Sequence, residues 1–191
     1  MKLKLLSLIL IFTISTSYAQ LNPVTIIFKN GDTIKGIGRK KVYTFKYKID
    51  KKAKAEEFEF SKIKSVEIES SLGEKIIYKF FQVKGWANFI AVEEVVSGSK
   101  AELFKTSDTF NTGGMMGGMG GQSVTFYYIK RPNEDKLTEL GPYSPLTNDL
   151  KAKVKTYFSD CKILIEKLEN REFKVREGLE DIVLFYNNNC E

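Results

Sequence analysis

The sequence predicts an α+β fold, in which an antiparallel β region is followed by a small C-terminal helical region. Residues 23–140 contain short segments that alternate apolar and polar side chains, such as VYTFKYKI at 42–49, and turn residues separate them. Such alternation is typical of strands that bury one face. From Gly141-Pro142 onward, apolar residues recur at helical spacing instead. The strand pattern fits an antiparallel β-sandwich, an open barrel or a curved sheet, and the three alternatives stay open.

Ten segments of the β region are predicted as strands, because each is rich in β-branched or aromatic residues and ends at turn residues. They are 23–29, 33–39, 42–49, 57–60, 64–69, 75–83, 88–96, 101–105, 123–130 and 136–140. Asn30-Gly31 and Ser97-Gly98-Ser99 each separate two of these segments. Asn-Gly accepts the positive φ angles of tight turns, so both places are predicted hairpins.

Three apolar stripes predict three C-terminal helices, the second of them ending near Asn170. The stripes are Leu146, Leu150, Val154, Tyr157 and Phe158; Ile163, Leu164, Ile165 and Leu168; and Val175, Leu179, Ile182, Val183 and Tyr186. Cys161 continues the first stripe and Cys190 the third, each four residues further along the chain. Both cysteines are therefore expected on apolar helix faces.

The N-terminus is predicted to be a secretory signal peptide covering residues 1–19. A basic start, MKLK, precedes the apolar run LLSLILIFTI, and small residues follow at Ser17 and Ala19. The run spans about 15 Å as a helix, half of a bilayer core, so a membrane anchor fits less well. Cleavage after Ala19 would lower the formal net charge from +6 to +4 by removing two lysines.

The predicted organisation is therefore a signal peptide at 1–19, a β region at 20–140 and a helical region at 141–191 packed on it. No later stretch has the apolar length of a membrane span, so none is expected in the mature chain. The expected location is outside the cytoplasm, in the periplasm or the extracellular space, and association with the outer membrane stays open.

The two cysteines of the chain, Cys161 and Cys190, are predicted to form a disulfide. An even number of cysteines in an exported protein favours pairing, because the compartment is oxidising. The bond would stabilise the fold by about 3–4 kcal/mol on the chain-entropy model. Two buried free thiols are the alternative.

A basic stretch is the first candidate binding surface. It contains Arg39, Lys40, Lys41, Lys46, Lys48, Lys51 and Lys52. Outside the cytoplasm, the anions it would meet are lipopolysaccharide, acidic glycans or an acidic partner, so no nucleic acid is expected. The alternative is a solvated hairpin, in which these residues pair with Glu56, Glu57 and Glu59 and the aromatic residues between them are buried.

The Gly/Met segment, NTGGMMGGMGGQS at 111–123, is the second candidate. It holds Met115, Met116 and Met119, and the chain has only one other methionine, Met1. Thioether sulfur is a soft ligand that suits Cu(I), so three of them could hold one ion. The alternatives are a tip that contacts a partner or membrane, and an unspecialised mobile connection between two strands. The last of these is the favoured interpretation.

Residue types argue against an enzyme. The chain has no His, which excludes Ser-His-Asp triads and His-ligated metal sites. Phosphate-binding and dinucleotide-binding glycine motifs are missing. Glu93-Glu94 is a visible carboxylate pair, but neighbouring residues on a strand point to opposite faces and cannot converge on one site. No cofactor is predicted.

Four segments resemble a group of uncharacterised exported proteins of Bacteroidota. They are NGDTIKG near the start of the β region, FSKIKSVEI, YYIKRPNEDKLTEL, and the cysteine-flanked tail YFSDC…LIEKLENREF…IVLFYNNNC. The resemblance implies an envelope setting and no particular chemistry. The sequence thus favours an exported, non-enzymatic envelope protein that binds a partner or surface. The alternative is a Cu(I)-binding or anion-binding protein that uses the Gly/Met segment or the basic stretch.

Overall fold

The computed structural model of the chain describes residues 21–70, 73–111, 121–147 and 149–190. The predicted signal peptide and the three methionines of the Gly/Met segment lie outside these residues. Ten strands are found in the described part: β1 (Asn22–Phe28), β2 (Thr33–Lys40), β3 (Thr44–Lys48), β4 (Glu56–Glu59), β5 (Ile63–Glu69), β6 (Lys75–Val83), β7 (Phe89–Val96), β8 (Glu102–Asn111), β9 (Gly121–Lys130) and β10 (Lys136–Pro142). The predicted sheet-dominated α+β fold is confirmed.

All ten strands belong to one curved sheet, in the order β10-β9-β8-β7-β6-β5-β1-β2-β3-β4. Neighbours in this order run antiparallel. β10 also pairs with β6, in parallel, through Lys136 opposite Gln82 and Leu137 opposite Val83. Strands β6–β10 therefore form a closed ring, and the other five strands extend the sheet from β6.

The ring encloses an apolar core. Phe81 on β6 and Phe104 on β8 belong to strands that β7 separates, yet their ring centroids lie 5.2 Å apart. Such a contact across the sheet requires strong curvature. Val83, Val92 and Leu137 belong to the same core and are fully buried, and Tyr128 joins them at 3 % exposed. Burying such side chains contributes about 1.5–3 kcal/mol each relative to exposure.

A second apolar core lies on the extension of the sheet. It is formed by Val24, Ile26, Phe45, Tyr47, Phe60, Ile63, Val66, Ile68, Phe80 and Ala91. Phe60 belongs to a 3₁₀ turn, Phe60–Lys62, and stacks on Phe80 of β6 with 4.6 Å between ring centroids. The chain after β4 thus returns to the ring strands, so this half of the sheet is also strongly curved.

Three helices form the C-terminal region: α1 (Asp149–Tyr157), α2 (Lys162–Glu169) and α3 (Glu180–Asn189). Their buried residues pack with those of β7–β10 in the third and largest core. It contains Val96, Ala101, Leu103, Ile129, Leu140, Leu150, Val154, Phe158, Cys161, Leu164, Leu168, Leu179, Ile182, Val183, Tyr186 and Cys190. The helical region therefore covers the outside of the ring.

Two predicted helix starts are wrong. Leu146 does not join the first stripe, because it lies in a turn before α1 and is 92 % exposed. Val175 begins a 3₁₀ turn, Val175–Glu177, which ends at Gly178 with φ +115°. That backbone conformation cannot continue a right-handed helix, so α3 starts only at Glu180. The rest of the third stripe is buried as expected.

The predicted Cys161–Cys190 disulfide is confirmed. The two Cα atoms lie 5.5 Å apart, and both residues are 6 % exposed. Cys161 directly precedes α2, and Cys190 directly follows α3. The bond therefore joins the beginning of one helix to the end of another. No helix in the described ranges is long and apolar enough to span a bilayer.

Strand β8 is longer than predicted, because it continues past Lys105 to Asn111. Its last residues pair with the beginning of β9, down to Asn111 opposite Gly121. Among the described residues, 107–111 and 121–125 pair only with each other. The two strand ends therefore form a two-stranded ribbon that extends beyond the rest of the sheet, and the Gly/Met segment connects them.

Candidate functional site: a groove where two strands separate

The candidate site is a groove of about 510 Å³ at the place where β7 and β8 separate. Their pairing begins at Val96 and Leu103, passes an irregularity between Glu94 and Val96, and ends at Glu93 opposite Lys105. Within the described residues, no pairing joins the first half of β7, Phe89–Val92, to β8. Such irregularities increase local twist and turn strands away from each other. The separated strands leave a concave surface at one end of the ring.

The turn between β2 and β3 forms one wall of the groove through Lys40, Lys41, Val42 and Tyr43. The backbone N–H of Lys41 donates to the carbonyl of Thr44 at 2.9 Å, which closes this turn. Val42 and Tyr43 lie in this turn and are 76 % and 56 % exposed. The alternation at 42–49 predicts both residues in a strand. β3 instead starts at Thr44, so they belong to the turn.

Trp86, in the turn between β6 and β7, also lines the groove. Gly85 adopts φ +85°, a conformation that glycine accepts without strain, and the Trp86 N–H donates to the Val83 carbonyl at 2.9 Å. Gln82 donates from Nε2 to the Ala87 carbonyl at 2.8 Å and braces the same turn. These bonds fix the backbone of the turn, and Trp86 remains 45 % exposed.

Buried residues form the floor of the groove. Phe60, Ala91 and Tyr128 are almost completely inaccessible, and Ile90 of β7 and Thr106 of β8 lie on the two sides of the strand separation. A buried floor beside exposed aromatic side chains is typical of a binding site, whereas isolated exposed apolar residues are common on any protein.

Positive charge lies at one end of the groove. The Lys40 ammonium is 5.1 Å from the centre of the Tyr78 ring, and the Lys41 ammonium pairs with Glu57. The hydrogen bond from Lys41 lowers the pKa of the Glu57 carboxyl below its usual value. Glu57 is one of the three carboxylates expected to pair with this basic stretch.

The remaining basic candidates lie elsewhere on the hairpin. Arg39 is opposite Lys46 on the paired strands, and Lys46 is opposite Glu57, so these three lie in a row across the sheet. Lys48 is opposite Ile37. Lys51 and Lys52 are exposed in the connection from β3 to β4, where Asp50 accepts the Lys52 backbone N–H at 2.7 Å. The structure therefore divides the basic stretch among three places.

The aromatic residues of this stretch confirm the hairpin interpretation only in part. Phe45 and Tyr47 are buried as expected, with exposed fractions of 1 % and 5 %. Ile49 continues the same alternation in the predicted strand 42–49, which would bury it, but it is 68 % exposed. The expectation is wrong because β3 ends at Lys48, and the alternation of faces ends with it.

The carboxylates singled out in the sequence pair with separate lysines. Glu93 lies 3.5 Å from the Lys105 ammonium, and Glu94 lies 2.7 Å from that of Lys79. Their opposite directions agree with the alternation expected along a strand. In the described ranges, no group of three or more His, Cys, Asp or Glu side chains is arranged to hold a metal ion. The proposed methionine site at Met115, Met116 and Met119 lies outside these ranges and stays a prediction.

A network of titratable groups lies away from the groove. Arg131, in the turn after β9, donates to Asp160 at 2.9 Å, and the Tyr186 hydroxyl donates to the same oxygen at 2.8 Å. Burial alone would raise the pKa of Asp160, but these two donors hold it below its usual value. Burial and the nearby Glu134 carboxylate raise the pKa of Tyr157 far above its usual value. The network joins the helical region to the ring.

Sequence reasoning missed Trp86, although a signal was present. Trp86 is the only tryptophan in the chain, and it follows Lys84-Gly85 in a predicted turn rather than in a strand or helix. A large aromatic residue placed in a turn has no reason to be buried by the periodicity of its neighbours, so exposure for binding was the better inference.

Comparison of the chain with protein-family models, with curated proteins and with solved structures finds no match. The groove is therefore interpreted from its own geometry and chemistry.

Proposed function

We propose that the protein is an exported, non-enzymatic envelope protein that binds an extended segment of a partner protein in the groove between β7 and β8. One observation carries the proposal: the exposed side chains of Val42, Tyr43 and Trp86 surround a place where two strands of a sheet have separated. The disulfide supports the compartment, because such bonds persist in oxidising surroundings.

The strand separation suits a peptide in extended conformation. Phe89–Val92 of β7 pairs with β6 on one side and with no described strand on the other. A partner segment can add to such an edge through backbone hydrogen bonds, while alternate side chains enter pockets and supply specificity. Four residues of strand span about 13 Å, which matches a contact with three or four residues of the partner.

The walls define which side chains the segment would carry. Tyr43 and Trp86 offer large, amphipathic surfaces, and residues of these types provide much of the binding energy in protein interfaces. An apolar or aromatic side chain of the partner would lie between them. Lys40 lines the groove beside the Lys41–Glu57 pair, and its charge favours an acidic neighbour, because complementary charge speeds association and fixes the orientation of the peptide.

The single tryptophan makes the test direct, since all indole fluorescence reports from the groove. A phage-displayed library of short random peptides would be selected against the disulfide-bonded chain from residue 20 onward. Enriched peptides would then be titrated into the protein while the Trp86 emission is recorded. We expect apolar residues next to Asp or Glu among the enriched sequences, and a blue shift as the indole loses water.

Tyr43→Ser is the decisive variant, because it removes one wall and keeps the reporter. It should weaken binding by at least about tenfold, as expected for an aromatic residue at the centre of an interface. Leu146→Ser is the control, since Leu146 is exposed and outside the groove. No enrichment, or binding that neither shifts Trp86 emission nor responds to Tyr43→Ser, would refute the proposal.

A further inference from the structure

A second concave surface lies in the helical region, between α1 and the connection from α2 to α3. It is a cleft of about 590 Å³. Five of the residues that line it are cationic, and one, Glu169, carries a carboxylate. The cations are Lys151, Lys155, Arg171, Lys174 and Arg176. None of them belongs to the basic stretch between residues 39 and 52, so this surface is separate from the one that the sequence suggested.

The cations of the cleft outnumber the carboxylates that neutralise them. Lys155 pairs with Glu169, and Lys151 reaches the same carboxylate at 4.0 Å. Lys174 and Arg176 likewise share Glu177, at 3.4 Å and 3.6 Å. In the part of the chain that the structure describes, Arg171 pairs with no carboxylate. Because exposed ion pairs are weak, an anionic ligand can replace them at little cost.

The backbone places Arg171 at the cleft in an unusual conformation. Arg171 has φ +62°, and it is the only residue other than glycine with a positive φ in the described ranges. It follows the end of α2, a position where glycine or asparagine normally adopts this left-handed conformation. Residues in such conformations cluster at functional sites, and here Arg171 lines a cationic cleft.

The floor of the cleft is apolar. Leu168 is buried there, and Phe173, Val175 and Tyr143 lie beside the cations. Bare inorganic ions need no apolar contact, and the volume lies in the range of pockets that hold organic ligands. The combination fits an anionic group attached to an organic body. A phosphate monoester carries nearly two negative charges at neutral pH and accepts several hydrogen bonds, which matches an unpaired Arg beside partly neutralised lysines.

We propose that this cleft binds a phosphate monoester, with Arg171, Lys174 and Arg176 holding the phosphate and Phe173 contacting the organic part. Such a group is found both on lipid headgroups and on soluble metabolites. The chemistry recognised by the protein is the same in both cases, so the experiment separates the two sources.

The test uses two probes and the full disulfide-bonded chain. One probe is phosphatidylcholine vesicles doped with phosphatidic acid, compared with vesicles that carry an equal fraction of phosphatidylglycerol, a phosphate diester. The other is glucose 6-phosphate in solution, compared with glucose. Cosedimentation measures the first and calorimetry the second. We expect binding to at least one monoester probe and little binding to its comparison compound.

Two triple variants remove equal charge. Arg171→Asn, Lys174→Gln and Arg176→Gln remove the unpaired cation and the two that share Glu177. Asn tolerates the left-handed backbone of position 171. Lys35→Gln, Lys54→Gln and Lys62→Gln remove three exposed lysines elsewhere. The cleft variant should bind at least about tenfold more weakly, while the control stays within about twofold of the parent. If the cleft variant fails to fold, Lys174→Gln alone should still weaken binding measurably.

The outcomes separate the sources and decide the proposal. Binding only to phosphatidic acid vesicles assigns the cleft to a lipid headgroup, and binding to glucose 6-phosphate assigns it to a soluble phosphate. The proposal is overturned if neither monoester binds, if phosphatidylglycerol is bound as well as phosphatidic acid, or if both triple variants lose affinity equally.

Discussion

Asn187 binds the backbone of Ala101 with both ends of its side-chain amide. Its Oδ1 accepts the Ala101 N–H at 2.9 Å, and its Nδ2 donates to the Ala101 carbonyl at 2.9 Å. The same Oδ1 also accepts the Lys100 N–H, and the same Nδ2 also donates to the Val183 carbonyl. A Cβ on Gly98 would lie 2.2 Å from this amide nitrogen, so only glycine fits beneath it. One helix residue thus holds the β7–β8 turn in place.

Asn187→Ala should therefore lower the free energy of unfolding by about 2–3 kcal/mol, because it leaves partly buried backbone groups without partners. Asn188→Ala is the matched control, since Asn188 is exposed and next in sequence, and it should stay within about 0.5 kcal/mol of the parent. Urea unfolding followed by circular dichroism measures both. Equal stability of the two variants would mean that the amide contributes nothing to the turn.

Loss of the disulfide should cost about 3–4 kcal/mol of unfolding free energy, as expected for a cross-link between residues 29 positions apart. Cys161→Ser combined with Cys190→Ser removes it, and the parent under reducing conditions should show the same loss. The double variant itself should be insensitive to reductant. Mass spectrometry of the alkylated native protein should find no free thiol, and two modified cysteines would contradict the bond.

Acid should remove the contribution of Asp160. Its pKa is lower in the folded state than in the unfolded chain, where it is about 3.9. The stabilisation is therefore complete above the unfolded pKa and is lost as the pH falls through the folded pKa. Asp160→Asn should destabilise the protein at neutral pH, and its difference from the parent should shrink in acid. Asp181→Asn changes an exposed carboxylate and should have a smaller effect on stability at neutral pH and in acid. If the stability difference between the parent and Asp160→Asn grows in acid, the pKa of Asp160 is not lowered on folding.

Replacing residues 112–120 with a short Gly/Ser turn should leave the thermal midpoint nearly unchanged. β8 pairs with β9 as far as Asn111 opposite Gly121, so the register of these two strands does not depend on residues 112–120. A large drop would show that the segment contributes to packing.

A Cu(I) competition titration should give the same affinity for the parent and for the variant with Met115, Met116 and Met119 changed to Ser. Tight binding lost in the variant would favour the soft-metal alternative.

The sequence predicted most of the strands, because alternation and turn chemistry are local properties. Both hairpins at Asn30-Gly31 and at Ser97-Gly98-Ser99 are present. The closure of the ring was beyond reach, since the pairing of Leu137 with Val83 joins residues far apart in the chain. Periodicity shows which face of a strand is buried, but not which strand lies beside it.

The candidate sites were harder to predict than the fold. The groove depends on where β7 and β8 stop pairing, which no run of residues reveals. The helical cleft combines Lys151 and Lys155 of α1 with Arg171 and its neighbours, and charge that is dispersed in sequence gives no local signal. The basic stretch, by contrast, was conspicuous in sequence and is divided in space, since Arg39 and Lys46 lie on the hairpin away from the groove that contains Lys40 and Lys41.

The disulfide also determines how the chain would respond to mechanical force. Cys161 and Cys190 are 29 positions apart in sequence, but their Cα atoms are separated by 5.5 Å. A chain pulled from its two ends transmits tension through the sulfur–sulfur bond, so α2 and α3 carry no load. Fully stretched, that bypassed segment would measure about 100 Å. An optical trap should therefore record a contour length about 90–100 Å shorter for the oxidised protein than for the reduced one.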